Sequence, residues 1–413
     1  MRGMRLFFLA TLVSLMPLAG LAQNPESLGD AARRLRQNKE QNSTPEALAS
    51  DPVRVSVGGA KPQAAAKPVS ALQLFAWVAG GMPNDYLVRQ IRAGGLSFYA
   101  DNDVIERAQN VGADPDLVSE LEKASQTASL TDAADSETTK GIVQAAIAMK
   151  REEYRNAQRQ IRALLRGDSK NPDLYLALGN AYQQLEDWAN AGAAYARAVQ
   201  LAPDFGYAYG QLSFMDYKVG DANGAQAAAE EMIRLQPDSG DAHKFLGLSM
   251  EAAGNYGGAL GEFHQAKALE PRNAGVYYYD MGLVKADQQE WPTAVEAYEQ
   301  AIALGPVRWY FYNNLGIALG KVNRIDEAVA AFEKGMELAS SRPEVRQSLG
   351  AVLCNAGRYE RAAKEFRELL NLAPDWNMAR PCLYRSLMRT GHPDEAKQVM
   401  EDYKKYSQDH NTW

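Results

Sequence analysis

The chain has 413 residues, 46% of them hydrophobic and 23% charged, an ordinary make-up for a soluble protein with room for two or three domains. Its formal net charge is −7, so general attraction to nucleic acid or to an anionic membrane surface is not expected. With only Cys354 and Cys382, it is not a disulfide-dense scaffold.

Residues 1–22 read as an export signal. Arg2 and Arg5 give a short basic start, Leu6 to Leu21 is apolar, and Gly20 and Ala22 are the small residues before a cut ahead of Gln23. Cleavage would take the net charge from −7 to −9. The run is short and broken by Pro17 for a membrane span, although retention as an anchor is the alternative. The mature protein is therefore expected in the periplasm or outside the cell. Residues 23–69 are rich in Ala, Pro, Gln, Ser and Asn, with few large apolar side chains, and read as a disordered tether. A short basic helix around Ala31 to Lys39, as a docking peptide, is the sharper reading. Asn42-Ser43-Thr44 fits a glycosylation sequon, a pattern common by chance.

Residues 70–126 predict a small helical domain. Leu72, Leu74, Phe75 and Val78 form an apolar stripe ended by Gly80-Gly81. Asn84, Asp101 and Asp114 are predicted caps of three further helices, with Pro115 opening the last. Leu96-Ser97-Phe98-Tyr99 reads as an extended link. A domain of about 55 residues has a marginal core alone, so docking on the first repeat is the natural support. Residues 127–137 read as a linker.

From 138 to 406 the chain keeps a clock. Ala157, Ala191, Ala225, Ala259, Ala294, Ala328, Ala362 and Ala396 are 34 residues apart, except for one step of 35 after Ala259. Twelve places before the alanine stands Gly179, Ser213, Gly247, Gly282, Gly316 or Gly350. Four places after it stands an apolar or aromatic residue such as Tyr195, Phe263, Tyr298, Phe332 or Phe366. Pro203, Pro237, Pro271, Pro306 and Pro374 follow twelve places after it. Within one unit, Leu174, Leu178 and Tyr182 share one helix face, and Trp188, Ala191, Tyr195 and Ala198 share another. Each unit is thus two antiparallel helices. Small residues stand where they cross, and a proline ends the second helix. One such hairpin cannot bury its apolar face alone, so neighbours must stack. Residues 407–413 are left as a tail.

This pattern resembles the tetratricopeptide repeat family over about two thirds of the chain. The resemblance implies an all-α, right-handed solenoid of about eight helical hairpins, whose first helices line a concave groove. Departures are Ala145 for the glycine of unit one, Ser213 and Ala229 in unit three, and Tyr384 with an in-helix Pro381 in unit eight.

Groove-facing places in this family are the second, fifth, ninth, twelfth and thirteenth of each unit. Carried over, they give Asn180, Gln183 and Gln184, then Tyr207, Phe214, Tyr217 and Lys218, then Lys244 and Glu251. The later units add Tyr279, Asp287, Tyr310, Asn313, Lys321, Arg385 and Arg389. Some family members hold a peptide carboxylate with a Lys/Asn/Arg clamp; here Leu176 stands at the first lysine's place. Aromatic and amide side chains suit an extended peptide, although the tyrosines could equally pack between units.

Gly257, Gly258 and Gly261 weaken the second helix of unit four, and the extra residue of the clock follows between Pro271 and Tyr278. Flexing is expected there. Cys354 and Cys382, six places out of register on first helices of neighbouring units, are offset by roughly 9 Å at the helical rise. They read as buried free thiols rather than a bridge.

No phosphate loop, nucleophile elbow or metal-ligand spacing is found among the motifs, and His243, His264, His392 and His410 are isolated. No catalytic residue, cofactor or metal is expected. The expected function is a non-enzymatic scaffold of the bacterial periplasm or envelope, binding a protein, as an extended peptide or partner helix. The alternative is a polysaccharide-binding accessory in which Tyr207, Phe214, Tyr217, Tyr279 and Tyr310 stack on sugars.

Overall fold

A computed structural model describes residues 67–128, 136–305, 307–340 and 342–409, with side chains to residue 406. The export signal, the tether up to residue 66, the sequon, most of the 127–137 linker, Pro306, His410 and the last residues of the tail lie outside the described residues. The described residues form an all-α chain whose consecutive helices pair as hairpins, a helical solenoid built from repeats. It falls into two compact units, divided between Ala253 and Gly254. Among the described residues no helix is long and apolar enough to cross a membrane.

The first unit begins with α1 (Ala71–Ala79), α2 (Asn84–Gly94), α3 (Asn102–Val111) and α4 (Pro115–Ser125). Folded structure starts slightly before the expected boundary at 70. Val69 is buried and bridges Leu96, so the Leu96 link is pinned as a two-residue ribbon. Ser70 caps α1 through a reciprocal pair of hydrogen bonds with Gln73. Asp101 and Asp114 accept from Val104 and Leu117 as predicted caps should. Asn84 is not a cap. It is the first residue of α2, and its amide donates instead to the Gly112 carbonyl at 3.1 Å, tying α2 to the end of α3.

Three hairpin repeats and the first helix of a fourth complete this unit. They are α5 (Glu137–Lys150), α6 (Tyr154–Gly167), α7 (Pro172–Gln184), α8 (Trp188–Leu201), α9 (Gly206–Val219), α10 (Ala222–Leu235) and α11 (Gly240–Ala252). The second unit holds α12 (Tyr256–Leu269), α13 (Ala274–Asp287), α14 (Trp291–Leu304), α15 (Trp309–Lys321), α16 (Ile325–Leu338), α17 (Pro343–Asn355), α18 (Tyr359–Leu372), α19 (Arg380–Arg389) and α20 (Pro393–Asp409). The last helix runs into residues expected to be tail. Pro381 is not inside its helix: a short 3-10 turn, Asn377–Ala379, delays α19, and Pro381 becomes its second residue, where a missing N–H is harmless. Another such turn, Pro271–Asn273, leads into α13 in the interval that carries the extra residue.

Within a repeat the small residue of the first helix faces a ring of the second, sixteen places on. A Cβ added to Gly179, Gly282, Gly316 or Gly350 would come 2.5, 2.5, 2.7 or 2.9 Å from the ring of Tyr195, Tyr298, Phe332 or Phe366. All four rings are buried to 2% exposure or less. The third repeat has small residues at both places: Ser213 takes the glycine's place, Ala229 the ring's, and the serine hydroxyl donates to the Ala225 carbonyl at 2.8 Å.

The turn between the two helices is equally regular. Glu152, Glu186, Gly220, Gly254, Gln289, Asn323, Gly357 and Gly391 all have φ between 57° and 81°. The following amide donates back to the carbonyl five residues earlier, as in Asp187 to Tyr182 and Arg358 to Leu353. This left-handed turn keeps the alanines' clock, including its single step of 35.

The two kinds of glycine predict opposite responses. Gly282→Ala should lower the urea midpoint of the second unit by the equivalent of about 1–3 kcal/mol, and adding Tyr298→Leu should recover part of it. Gly257, whose added Cβ would meet nothing within 4 Å, should gain up to about 1 kcal/mol on changing to Ala. Equal effects of the two changes would contradict the ring-seat account.

Candidate functional site

The groove places of the first helices serve different ends in the two units. In the first unit, three of those of α7 and the first of α9 are covered by residues 77–86 of the chain itself. Trp77 Nε1 donates to Asp173 Oδ1 at 2.6 Å, and Asn180 Nδ2 donates to the Ala79 carbonyl at 2.8 Å. Tyr207 donates its hydroxyl to the Gly81 carbonyl at 3.0 Å, and its ring lies 5.3 Å from that of Tyr86. The Tyr86 hydroxyl accepts in turn from the Gln236 amide. Gly80-Gly81 is therefore more than a helix stop. A Cβ on Gly80 would meet Leu176 at 2.7 Å, and one on Gly81, which has φ +74°, would meet Asn180 at 3.0 Å.

Asn180 and Tyr207, expected on an open groove, are thus buried at 8% and 9% exposure and bonded to the chain's own N-terminal helices. The small domain lies across the second and third repeats, not only the first. Burial raises the Asp173 carboxyl to about 6, against hydrogen bonds from Trp77 and Gln73 that favour its charge. Burial likewise raises the Tyr207 hydroxyl, so it stays a proton donor.

Beyond this cover, Phe214 and Tyr217 stack with centroids 6.2 Å apart, and the Lys218 ammonium sits 5.0 Å and 5.8 Å from their rings. Burial lowers the Lys218 pKa, while Glu251 and Glu186 oppose it. Lys244 pairs with Asp241 at 2.8 Å and lies over Phe245. Gln183 accepts from the Tyr195 hydroxyl at 2.9 Å, and Gln184 is exposed.

In the second unit Tyr279 stacks on Phe311 with centroids 4.6 Å apart and accepts a hydrogen bond from Asn314. Tyr310 meets Tyr279 edge-on at 5.1 Å and Trp309 edge-on at 5.7 Å. Tyr279 and Tyr310 keep part of their surface in solvent. Lys321 lies over Trp291, and burial lowers its pKa. Asp287 and Arg385 are part-exposed and Arg389 is exposed.

Beside them is a set that the sequence reading passed over. Asn313 Oδ1, Glu344 Oε2 and Gln347 Oε1 are buried acceptors with no hydrogen-bond partner in the chain. Their residues are 5%, 7% and 5% exposed. Asn313 and Gln347 hold the fifth place of neighbouring repeats, and Glu344 the second. The same ruler that found Asn313 would have found the other two in the seventh repeat.

The Tetratricopeptide repeat profile matches residues 142–204, 216–274, 279–343 and 314–379, more than half of the chain. The chain belongs to the tetratricopeptide repeat family, whose architecture is that of a protein–protein interaction scaffold. No protein of curated function matches it. Among solved structures it is similar to YrrB, described as a TPR protein with an unusual peptide-binding site, at 19% identity over 44% of this chain and 94% of that one, with TM-score 0.38. TTC0263, a thermophilic TPR protein of Thermus thermophilus, is 23% identical over 44% of this chain and 98% of its own, with TM-score 0.41. PilF of Pseudomonas aeruginosa is 19% identical over 49% and 97%, with TM-score 0.42. At such identities and TM-scores these likenesses carry no argument about function.

Asp173 gives a pH test of the covered face. Its folded pKa, about 6, lies above its ordinary value of 3.8. The stability it contributes is therefore full below pH 3.8 and lost as pH rises through about 6. Asp216, raised to about 7 by burial and by Asp221, acts in the same direction. Asp173→Asn keeps an acceptor for Trp77. It should stabilise the first unit at pH 7.5 relative to pH 4.5 by up to roughly 3 kcal/mol against the parent. Urea midpoints at the two pH values check this, and an unchanged difference would refute it.

Proposed function

We propose that the chain is an exported, non-enzymatic scaffold of the bacterial envelope. It holds an extended segment of a partner protein against the first helices of its second unit. The observation that carries this reading is the set of buried, unpartnered acceptors at Asn313, Glu344 and Gln347. A buried acceptor left unmade is expensive, at about 1–3 kcal/mol each. The backbone N–H groups of an extended peptide are donors at a suitable repeat. Part-exposed Tyr279, linked to Asn313 through Asn314, and Tyr310 against it offer apolar area with little rotamer entropy to lose. Part of the matching face of the second and third repeats is already occupied by the chain's own N-terminal residues, which favours the second unit as the receiving face. The predicted signal at residues 1–22 supports the location.

The test is selection of binders from a displayed library of unstructured peptides, followed by titration of the winners. Asn313→Ala with Gln347→Ala should weaken binding by about tenfold or more, equal to about 1.4 kcal/mol. Tyr310→Ala should do the same, and Gln184→Ala should leave binding unchanged. A glycan array run in parallel separates the sugar-stacking reading. Glycan binding lost in Tyr310→Ala, with no peptide selected, would replace the peptide proposal.

A further inference from the structure

The first helices of the last two repeats bring the two cysteines together. Cys354 is buried on α17, and Cys382 is part-exposed on α19. Cys354 Sγ lies 3.9 Å from the Cys382 carbonyl oxygen, and one guanidinium, that of Arg385, reaches both sulfurs. The offset of six places expected to keep them apart is reduced by the stagger of the repeats. Cys354, at the twelfth place of its repeat, meets Ser386, at the tenth of the next, just as Gly320 meets Val352. The remaining four places are one helical turn, and Cys382 sits one turn before Ser386.

Donors converge on this pair. Arg385 Nε lies 3.2 Å from Cys354 Sγ, and its Nη2 lies 3.9 Å from Cys382 Sγ and 3.2 Å from Asn355 Oδ1. Ser386 Oγ is 3.4 Å from Cys354 Sγ. Among the described residues Arg385 pairs with no carboxylate. A guanidinium beside a sulfur favours its thiolate, whereas an inert core thiol has apolar neighbours instead; the single Ser386 hydroxyl proton is shared with the Cys382 carbonyl, which it reaches at 2.8 Å. The Cys382 contact chiefly, with help from Ser386 and Arg385, pulls the Cys354 thiol below its usual range against its burial. The same contact and burial push the Cys382 thiol up, so the two hold one proton between them when the first has left.

We propose that Cys354 and Cys382 are a reversible redox pair that closes to one disulfide between α17 and α19, with Arg385 as its positioning residue. The oxidant is a disulfide, RSSR, of a small thiol or a thiol oxidoreductase. The pair loses its first proton to solvent, and the proton that remains passes to Cys354, so that the accessible Cys382 is the thiolate that reacts. The accessible sulfur, Cys382, attacks one sulfur of RSSR; a Cys382–SR bond forms, the S–S bond breaks, and RS⁻ leaves and takes up a proton. Cys354 then loses its proton and attacks Cys382 Sγ, expelling the second RS⁻, which is protonated in turn. Two thiols are oxidised by two electrons and one RSSR becomes two RSH. The new bond ties the seventh repeat to the eighth and removes the thiolate that holds Arg385.

The experiment equilibrates the full chain with oxidised and reduced glutathione at graded ratios, quenches with acid, alkylates and measures intact and peptide masses. The expected result is a single intramolecular Cys354–Cys382 disulfide, reversed by dithiothreitol. Cys354→Ser should trap glutathione on Cys382, and Arg385→Met should slow alkylation of the reduced pair by iodoacetamide at neutral pH by about tenfold or more. The proposal is overturned if no intramolecular disulfide forms at any ratio, if disulfides form only between chains, or if both thiols stay inert in the folded protein. Because the disulfide titration uses the unsubstituted chain, it decides the matter even where a variant fails to fold. An Arg385→Met rate equal to the parent's, in a variant with an unchanged circular dichroism spectrum, would remove Arg385 from the account.

Discussion

Four of the repeats depend on one contact, the seating of a second-helix ring on the bare backbone of the first helix. Helix axes pack about 8–10 Å apart depending on the side chains between them. A glycine on one helix lets a tyrosine or phenylalanine on the other lie across that gap with no void. The ring is among the largest fully buried side chains of a hairpin only some 34 residues long. The third repeat shows that the two places change together. Where the glycine grows to Ser213, the ring shrinks to Ala229, and the added hydroxyl finds the Ala225 carbonyl.

That is why the architecture was legible. The small residue, the alanine and the ring recur at fixed places, so the clock reveals the hairpins, their crossing and their turns. The left-handed turn was hidden although it keeps the same clock. Glu152, Glu186, Gln289 and Asn323 fill it as well as four glycines, because the bond from the next amide back to the first helix compensates for the φ. Asn84 misled for a local reason. A capping residue type can serve any nearby carbonyl, and Gly112 is reached only through the tertiary fold.

The site was legible by half. A ruler based on the repeat assigns a side chain to a face, and it placed Asn180, Tyr207, Tyr279, Tyr310 and Asn313 on the first helices' common side. It could not report what covers that side. Gly80-Gly81 read as a helix stop because stopping is a local property. The close approach to Leu176 and Asn180 joins residues about a hundred positions apart, and no periodicity encodes it. Cys354 and Cys382 failed similarly. Register along ideal parallel helices omits the stagger between neighbouring repeats, which is a property of how the rings and small residues pack.

The same places can hold such different side chains because the hairpin's stability is settled elsewhere. Rings, alanines and turns lie on the seam between the helices, and the second, fifth and ninth places lie off it. A buried carboxyl at Asp173 is tolerable because Trp77 and Gln73 donate to it. Asn313, Glu344 and Gln347 are equally buried and receive no such donor on the acceptor atoms concerned. The two units thus present one kind of face in two conditions. In the first, docked residues of the chain supply donors and apolar cover at Asp173, Asn180 and Tyr207, although the Glu251 carboxylate oxygens there have no hydrogen-bond donor. In the second, the acceptors remain unsatisfied within the chain, at an energetic disadvantage that the seam of each repeat is stable enough to carry. A bound donor there would remove that disadvantage, which is the same exchange that Trp77 and the Asn180–Ala79 bond already make in the first unit.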